Sequence, residues 1–151
     1  MTKVVSTYIE LHIFRIVNGE MEFLLLKRSP TEKYPDIWQM VTGKIKNNEK
    51  AYEAALRELK EETNLEADEI FSVPIVNSVY LDESDEVCLI PVFACRVSEN
   101  SVVKISKEHI EFKWVSPSEA VENLAWEGQK NSVRVIHKYW FNERERLIKI
   151  R

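Results

Sequence analysis

Long apolar runs are absent. No window approaches the roughly 18 consecutive apolar residues that a membrane-spanning helix requires. The opening stretch MTKVVSTYIELHIF also lacks the apolar run and small-residue cleavage site of a secretory signal, so no membrane partner and a cytoplasmic setting are expected. A strong excess of one charge is missing too: 21 Lys and Arg oppose 25 Asp and Glu, for a net charge of -4. That balance gives no overall electrostatic case for holding a nucleic-acid polymer, and an anionic ligand must be met by local Lys, Arg or metal ions. Cysteine is scarce. Cys88 and Cys95 lie in one extended segment, about 23 Å apart at about 3.3 Å per residue, and do not pair with each other there. They read as small buried hydrophobes. No repeat, low-complexity tract or linker-like stretch divides the chain, and 44% hydrophobic residues supply a substantial core, so one domain spanning residues 1–151 is expected.

What is present alternates between strand and helix signals. Residues 4–16 and 22–28 are rich in β-branched, aromatic and leucine side chains, and Val17-Asn18-Gly19-Glu20 between them carries the Asn-Gly pair of a tight hairpin. Two prolines and several polar groups make residues 28–36 an exposed loop. Trp38 to Ile45 reads as one short strand. Asn48 is placed to cap a helix from about Glu49 to Thr63, and Asn64 ends it by tolerating a left-handed conformation. Ile70–Leu81, Glu86–Val97 and Ile110–Val115 read as strands, Ser116-Pro117-Ser118-Glu119 as a capped short helix, and Gln129–Arg146 as a longer amphipathic helix. Strands without a regular βαβ rhythm point to an α/β fold, a mixed β-sheet flanked by helices on both faces.

The segment from Gly43 to Leu65 carries the chemistry. At about 100° per residue, Glu58 and Glu62 lie within roughly 40° of each other, on the arc that also holds Ala51 and Ala55. Glu61 stands at the edge of that arc, while Lys50, Glu53, Arg57 and Lys60 occupy the arc that suits a solvated face. Two carboxylates among small apolar side chains are costly without a counter-charge, because each loses hydration and repels the other. A divalent cation removes both costs. With oxygen donors and no nearby His or Cys, Mg²⁺ is expected, with Mn²⁺ also suitable.

The same segment resembles the Nudix box, in which a glycine is followed after five residues by Glu, and after seven more by Arg-Glu-aliphatic-x-Glu-Glu-x-Gly-aliphatic. Gly43, Glu49, Arg57, Glu58, Leu59, Glu61, Glu62 and Leu65 match at the required spacing, and Asn64 replaces the last glycine. The resemblance implies an αβα sandwich and a hydrolase that cleaves a phosphoanhydride bond. It further implies that Glu58, Glu61 and Glu62 bind metal or the attacking water, that Glu49 and Arg57 hold the loop and orient the glutamates, and that the Gly43 carbonyl ligates metal.

Within that family, Trp38-Gln39-Met40-Val41-Thr42-Gly43 resembles the bacterial dihydroneopterin triphosphate pyrophosphatase and dATP pyrophosphohydrolase group. Leu26-Lys27-Arg28, Glu108-His109 ahead of Lys113-Trp114, and Trp126 before the final helix extend the match. The group implies a nucleoside or pterin triphosphate as substrate, with Glu108 completing the metal site and Glu111 as its rival. Arg28 and Lys27 are candidates for substrate phosphates, and Trp38 and Trp126 for stacking on the ring system. His109 reads as a surface or packing residue. Cleavage of a dinucleoside polyphosphate or nucleotide sugar, and a non-catalytic ligand sensor, are the alternative functions. The final helix and exposed aromatics also suit a homodimer interface.

Overall fold

The computed structural model describes all 151 residues. Its strands are β1 (Lys3–Val5), β2 (Tyr8–Val17), β3 (Glu20–Arg28), β4 (Trp38–Gln39), β5 (Val41–Lys44), β6 (Glu69–Leu81), β7 (Glu86–Arg96), β8 (His109–Val115) and β9 (Ile148–Lys149). The helices are α1 (Ala51–Thr63), α2 (Pro117–Asn123) and α3 (Glu127–Asn142). The main sheet runs β4-β3-β2-β7-β6-β9, with β1 on β7, β5 on β2 and β8 on β3. It is mixed: β2 pairs parallel with β7 and antiparallel with β3.

Both sheet faces are covered, so the central strands are apolar on both sides. Ile9, Leu11 and Ile13 of β2 and Leu24 and Leu26 of β3 pack with Ala54, Ala55 and Leu59 of α1. Phe14, Phe23 and Leu25 pack on the opposite face with Val133, Ile136 and Trp140 of α3. This is the αβα layering of the expected α/β fold. One buried polar link interrupts the second layer: the Glu10 carboxylate accepts hydrogen bonds from Asn77 and Ser132, both at 2.8 Å, and lies 2.5 Å from His12 Nε2. Burial pushes the Glu10 pKa up, but the His12, Asn77 and Ser132 contacts outweigh it and hold the group below its ordinary value.

Local chemistry explains the turns. Asn18 (φ 52°) and Gly19 (φ 80°) both take positive φ, as a two-residue hairpin joining right-twisted strands requires. Asn64 caps α1 at φ 61°. Ser116 and Glu119 form the reciprocal cap of α2.

Several boundaries differ from the sequence reading because the chain changes partner. Residues 4–16 are not one strand: β1 follows β7, then β2 begins on β5 with Tyr8 opposite Lys44. Trp38–Ile45 likewise divides at the buried Met40, β4 pairing with β3 and β5 with β2. Helix α1 begins at Ala51 rather than Glu49. Asn48 sits in the loop at φ 64°, and the Glu49 carboxylate accepts from the Lys46 amide instead of entering the helix. The last helix starts at Glu127 and stops at Asn142, where Glu143 leaves helical geometry and Leu147 turns back into the core ahead of β9.

Candidate active site

Helix α1 packs on the sheet beside β2 and β5, with Ala54, Ala55 and Leu59 as its fully buried apolar side chains. Gly43 of β5 sits against the helix at Glu58. A Cβ there would lie 2.4 Å from Glu58 Cδ and 2.5 Å from Glu58 Oε1, so only glycine lets the carboxylate pass. Glu62, one turn further on, is 5% exposed.

Arg57 organises the rim. Its Nε and Nη2 donate to the two oxygens of Glu49 at 2.8 and 3.0 Å, Nη2 also to the Lys44 carbonyl at 2.8 Å, and Nη1 to Glu58 at 2.8 Å and Glu61 at 3.3 Å. The arc assigned to solvent therefore contains the residue that ties box loop to helix. The Glu49 pKa is held near about 2 by the Arg57 guanidinium and the Lys46 amide. Arg57 is itself pushed further up, chiefly by Glu49. The Glu61 side chain is 52% exposed, with Arg57 as its ion-pair partner.

The opposite wall comes from the start of β8. Ser29 N donates to the Glu108 carbonyl at 2.9 Å, and Arg28 is opposite His109 in the ladder, so the β3–β8 register sets Glu108 beside Glu62. Glu111 is carried elsewhere and stands 4.0 Å from Lys27 on an exposed edge. One oxygen of Glu62, one of Glu108 and a ring nitrogen of His109 lie within 4.8 Å of one another. Glu62 Oε2 and His109 Nδ1 are buried without a hydrogen-bond partner.

Electrostatics follow from that crowding. Burial, then the contact with Glu108 and the charge of Glu58, push the Glu62 pKa up to about 9 against a partial offset from Arg28. Glu58 is raised as well, burial outweighing its bond to Arg57. Burial lowers His109 to about 4, against the pull of Glu108, so the ring is neutral at pH 7. A buried carboxyl in close contact with a second at the surface, with an orphan oxygen and an orphan nitrogen beside them, fits a divalent cation that supplies the missing counter-charge.

The other candidates gather nearby in part. Arg28 is fixed by a 2.7 Å bond to the Lys33 carbonyl and by Glu32 at 3.7 Å, yet it is close enough to influence Glu62. Trp38 is half-buried with the Lys113 ammonium 4.2 Å from its ring centroid, and Lys27 is 5.9 Å from the same ring. Trp126 is 49% exposed at the N-cap of α3, edge-on to Tyr34 at 5.5 Å. Of the two expected roles of His109, a surface position is excluded: it is 4% exposed, hydrogen-bonded to Gln39 across the strands, and lies beside Glu62 and Glu108. Gln39 joins the site through a contact spanning 70 positions, which local sequence does not reveal.

The family model for the NUDIX domain matches residues 10–139. The chain belongs to the Nudix family. The dihydroneopterin triphosphate diphosphatase of Haemophilus influenzae is 33% identical over 128 residues, 73% of this chain and 75% of that protein. An octanoyltransferase of Myxococcus xanthus is 33% identical over 122 residues, 76% of this chain but 32% of that protein, so the chain spans about a third of that relative's length. Among solved structures, the Ap4A hydrolase of Caenorhabditis elegans superposes with a TM-score of 0.74 at 22% identity, over 89% of this chain and 96% of that one, a likeness of fold alone. The Nudix frame, its phosphoanhydride chemistry and a cluster suited to a divalent cation thus coincide in one place.

Two expected results arise here. Arg57→Lys keeps the charge but loses the fork that grips Glu49, Glu58 and Lys44 together, so metal half-saturation or turnover should worsen by roughly 10–100-fold, as for other groups that orient ligands. Turnover titrated against Mg²⁺ reads this directly. For Glu62, the folded pKa of about 9 exceeds the ordinary 4.5, so the native state keeps a proton that the unfolded chain loses. The contribution is fully present below the unfolded pKa and disappears as pH rises through the folded one. Without metal, the thermal midpoint should therefore fall from about pH 5 to about pH 9. Mg²⁺ binding at pH 7 should release close to one proton, measurable by calorimetry in buffers of different ionisation enthalpy.

Proposed function

We propose that this Nudix protein hydrolyses a nucleoside or pterin triphosphate, of the dATP or dihydroneopterin triphosphate type, releasing pyrophosphate and a monophosphate. The observation that carries the reading is the contact of the buried Glu62 with the exposed Glu108, beside the half-buried Glu58, a set of carboxylates whose mutual repulsion a proton or a cation relieves. Glu58, Glu61, Glu62, Glu108 and the Gly43 carbonyl would hold Mg²⁺ or Mn²⁺, which when bound supplies charge that polarises the phosphoryl oxygens and activates water.

The remaining work falls to the chain's own groups. Arg57 positions Glu58 and clamps the loop through Glu49. Glu62 keeps its proton at neutral pH until a counter-charge arrives, and becomes an acceptor only after losing it. Arg28 and Lys27 meet the substrate phosphates, Arg28 with a guanidinium already oriented by Lys33. Trp38 and the half-exposed Trp126 offer flat surfaces to a heterocycle. The 33% identity to the H. influenzae dihydroneopterin triphosphate diphosphatase supports this substrate class over the others.

Product identity tests the assignment. The protein with Mg²⁺ is offered dATP, dihydroneopterin triphosphate, a dinucleoside tetraphosphate and a nucleotide sugar, and products are separated by ion exchange. Pyrophosphate with a monophosphate is expected from one of the first two. Preferential formation of two nucleotides, or of a sugar phosphate, would move the substrate to the second class. Tight binding without turnover of any of the four would leave a ligand sensor, which the complete set of box glutamates argues against.

A further inference from the structure

Carboxylate and carbonyl oxygens favour Mg²⁺, but the fold carries a nitrogen to the same place. His109 is as buried as Glu62, and its ring stands beside Glu62 and Glu108 with Nδ1 lacking any partner. A buried polar atom in that condition forfeits a hydrogen bond that water would have supplied.

Gln39 decides which ring nitrogen is free. Its Nε2 stands 2.9 Å from His109 Nε2, and an amide nitrogen only donates, so in this arrangement His109 Nε2 accepts and Nδ1 carries the proton. A half-turn of the Gln39 amide places its oxygen there instead. His109 Nε2–H then donates to that oxygen, and Nδ1 is left with a lone pair. Metal-binding histidines commonly have this arrangement, the second ring nitrogen donating to an oxygen that fixes the tautomer. The contact joins β4 to β8, so the amide is held close to the ring in either orientation.

We propose that His109 supplies a nitrogen ligand at the Glu62–Glu108 site, held in the correct tautomer by Gln39, and that the site therefore prefers Mn²⁺ or a neighbouring first-row ion over Mg²⁺. The inference rests on the metal-dependent reading of the site and deepens it. Oxygen donors suit Mg²⁺ and Mn²⁺ alike, whereas imidazole raises affinity for transition ions and adds little for Mg²⁺.

Pulsed electron paramagnetic resonance of the Mn²⁺-loaded protein tests this without reference to turnover. The expected result is nitrogen modulation of the Mn²⁺ echo that changes frequency when histidine is labelled with ¹⁵N. In His109→Phe the modulation should vanish while Mn²⁺ still binds through the glutamates, roughly 10–100-fold more weakly, in the range seen when supporting groups are lost. The ratio of Mn²⁺ to Mg²⁺ affinity should fall in the same variant. Mn²⁺ bound by the wild type with no nitrogen modulation overturns the proposal, and this arm stands even if the Phe variant fails to fold. If that Mn²⁺ is also lost in Glu62→Gln, only the histidine ligand is refuted. Absence of any Mn²⁺ or Mg²⁺ binding would refute the metal-dependent reading as well.

Discussion

Glu62→Gln should reduce metal-dependent turnover by about 10²–10⁴-fold, the range for loss of a positioned proton-transfer group. The loss should come without a loss of stability. Glu62 is buried beside Glu108, and in the metal-free protein its ionisation is opposed by burial first and by Glu108 next. A neutral amide of nearly the same shape escapes that cost, so at pH 8 without metal the variant should unfold at a higher temperature than wild type. Each kcal/mol gained is worth roughly 2–4 °C in a chain of this size. Added Mg²⁺ should stabilise the wild type and leave the variant almost unmoved, reversing their order. A residue serving only structure would not give opposite signs in activity and metal-free stability.

Gly43→Ala should be the most damaging small substitution outside the glutamates. The added carbon would stand 2.4 Å from Glu58 Cδ, 2.5 Å from Cγ and 2.5 Å from Oε1, which forces the carboxylate or the whole of α1 away from β5. Overpacking of this kind costs about 1–3 kcal/mol. Misplacing a catalytic group by about 1 Å costs on the order of 10²-fold in rate. Both denaturant unfolding and kcat should therefore change. Gly19→Ala is the contrasting variant: nothing lies within 4 Å of its Cβ position, but its φ of 80° strains any other residue. Its stability should fall by about 1–2 kcal/mol with kcat unchanged.

The box segment was legible because its chemistry is local. Glu58 and Glu62 fall on one arc by helix geometry alone, and the turns at Asn18-Gly19, Asn64 and Ser116 follow from residues whose side chains or φ preferences dictate them. The split of Trp38–Ile45 was not legible, since Trp38 and Val41 are both good strand residues and only the switch of partner from β3 to β2 separates them. Arg57 shows the limit of a helical wheel. Its Cα lies on the polar arc, but the length of its side chain lets it reach back to Glu49 and Glu58. The surroundings of His109 are illegible for the opposite reason, because its neighbours are set by the β3–β8 register and by Gln39, neither of which leaves a trace in nearby sequence. Glu108 and Glu111, three positions apart, are distinguished by the same register: one ends beside Glu62 and the other beside Lys27.

The most direct measurement is ³¹P NMR of dATP and dihydroneopterin triphosphate incubated with wild type and with Glu62→Gln, each with Mg²⁺ and with EDTA. The expected result is a pyrophosphate resonance and a monophosphate resonance growing together in the wild type with metal, and neither in the other three combinations. Equal product formation by Glu62→Gln and wild type, or product formation undiminished in EDTA, would contradict a metal-dependent hydrolase built on the α1 glutamates.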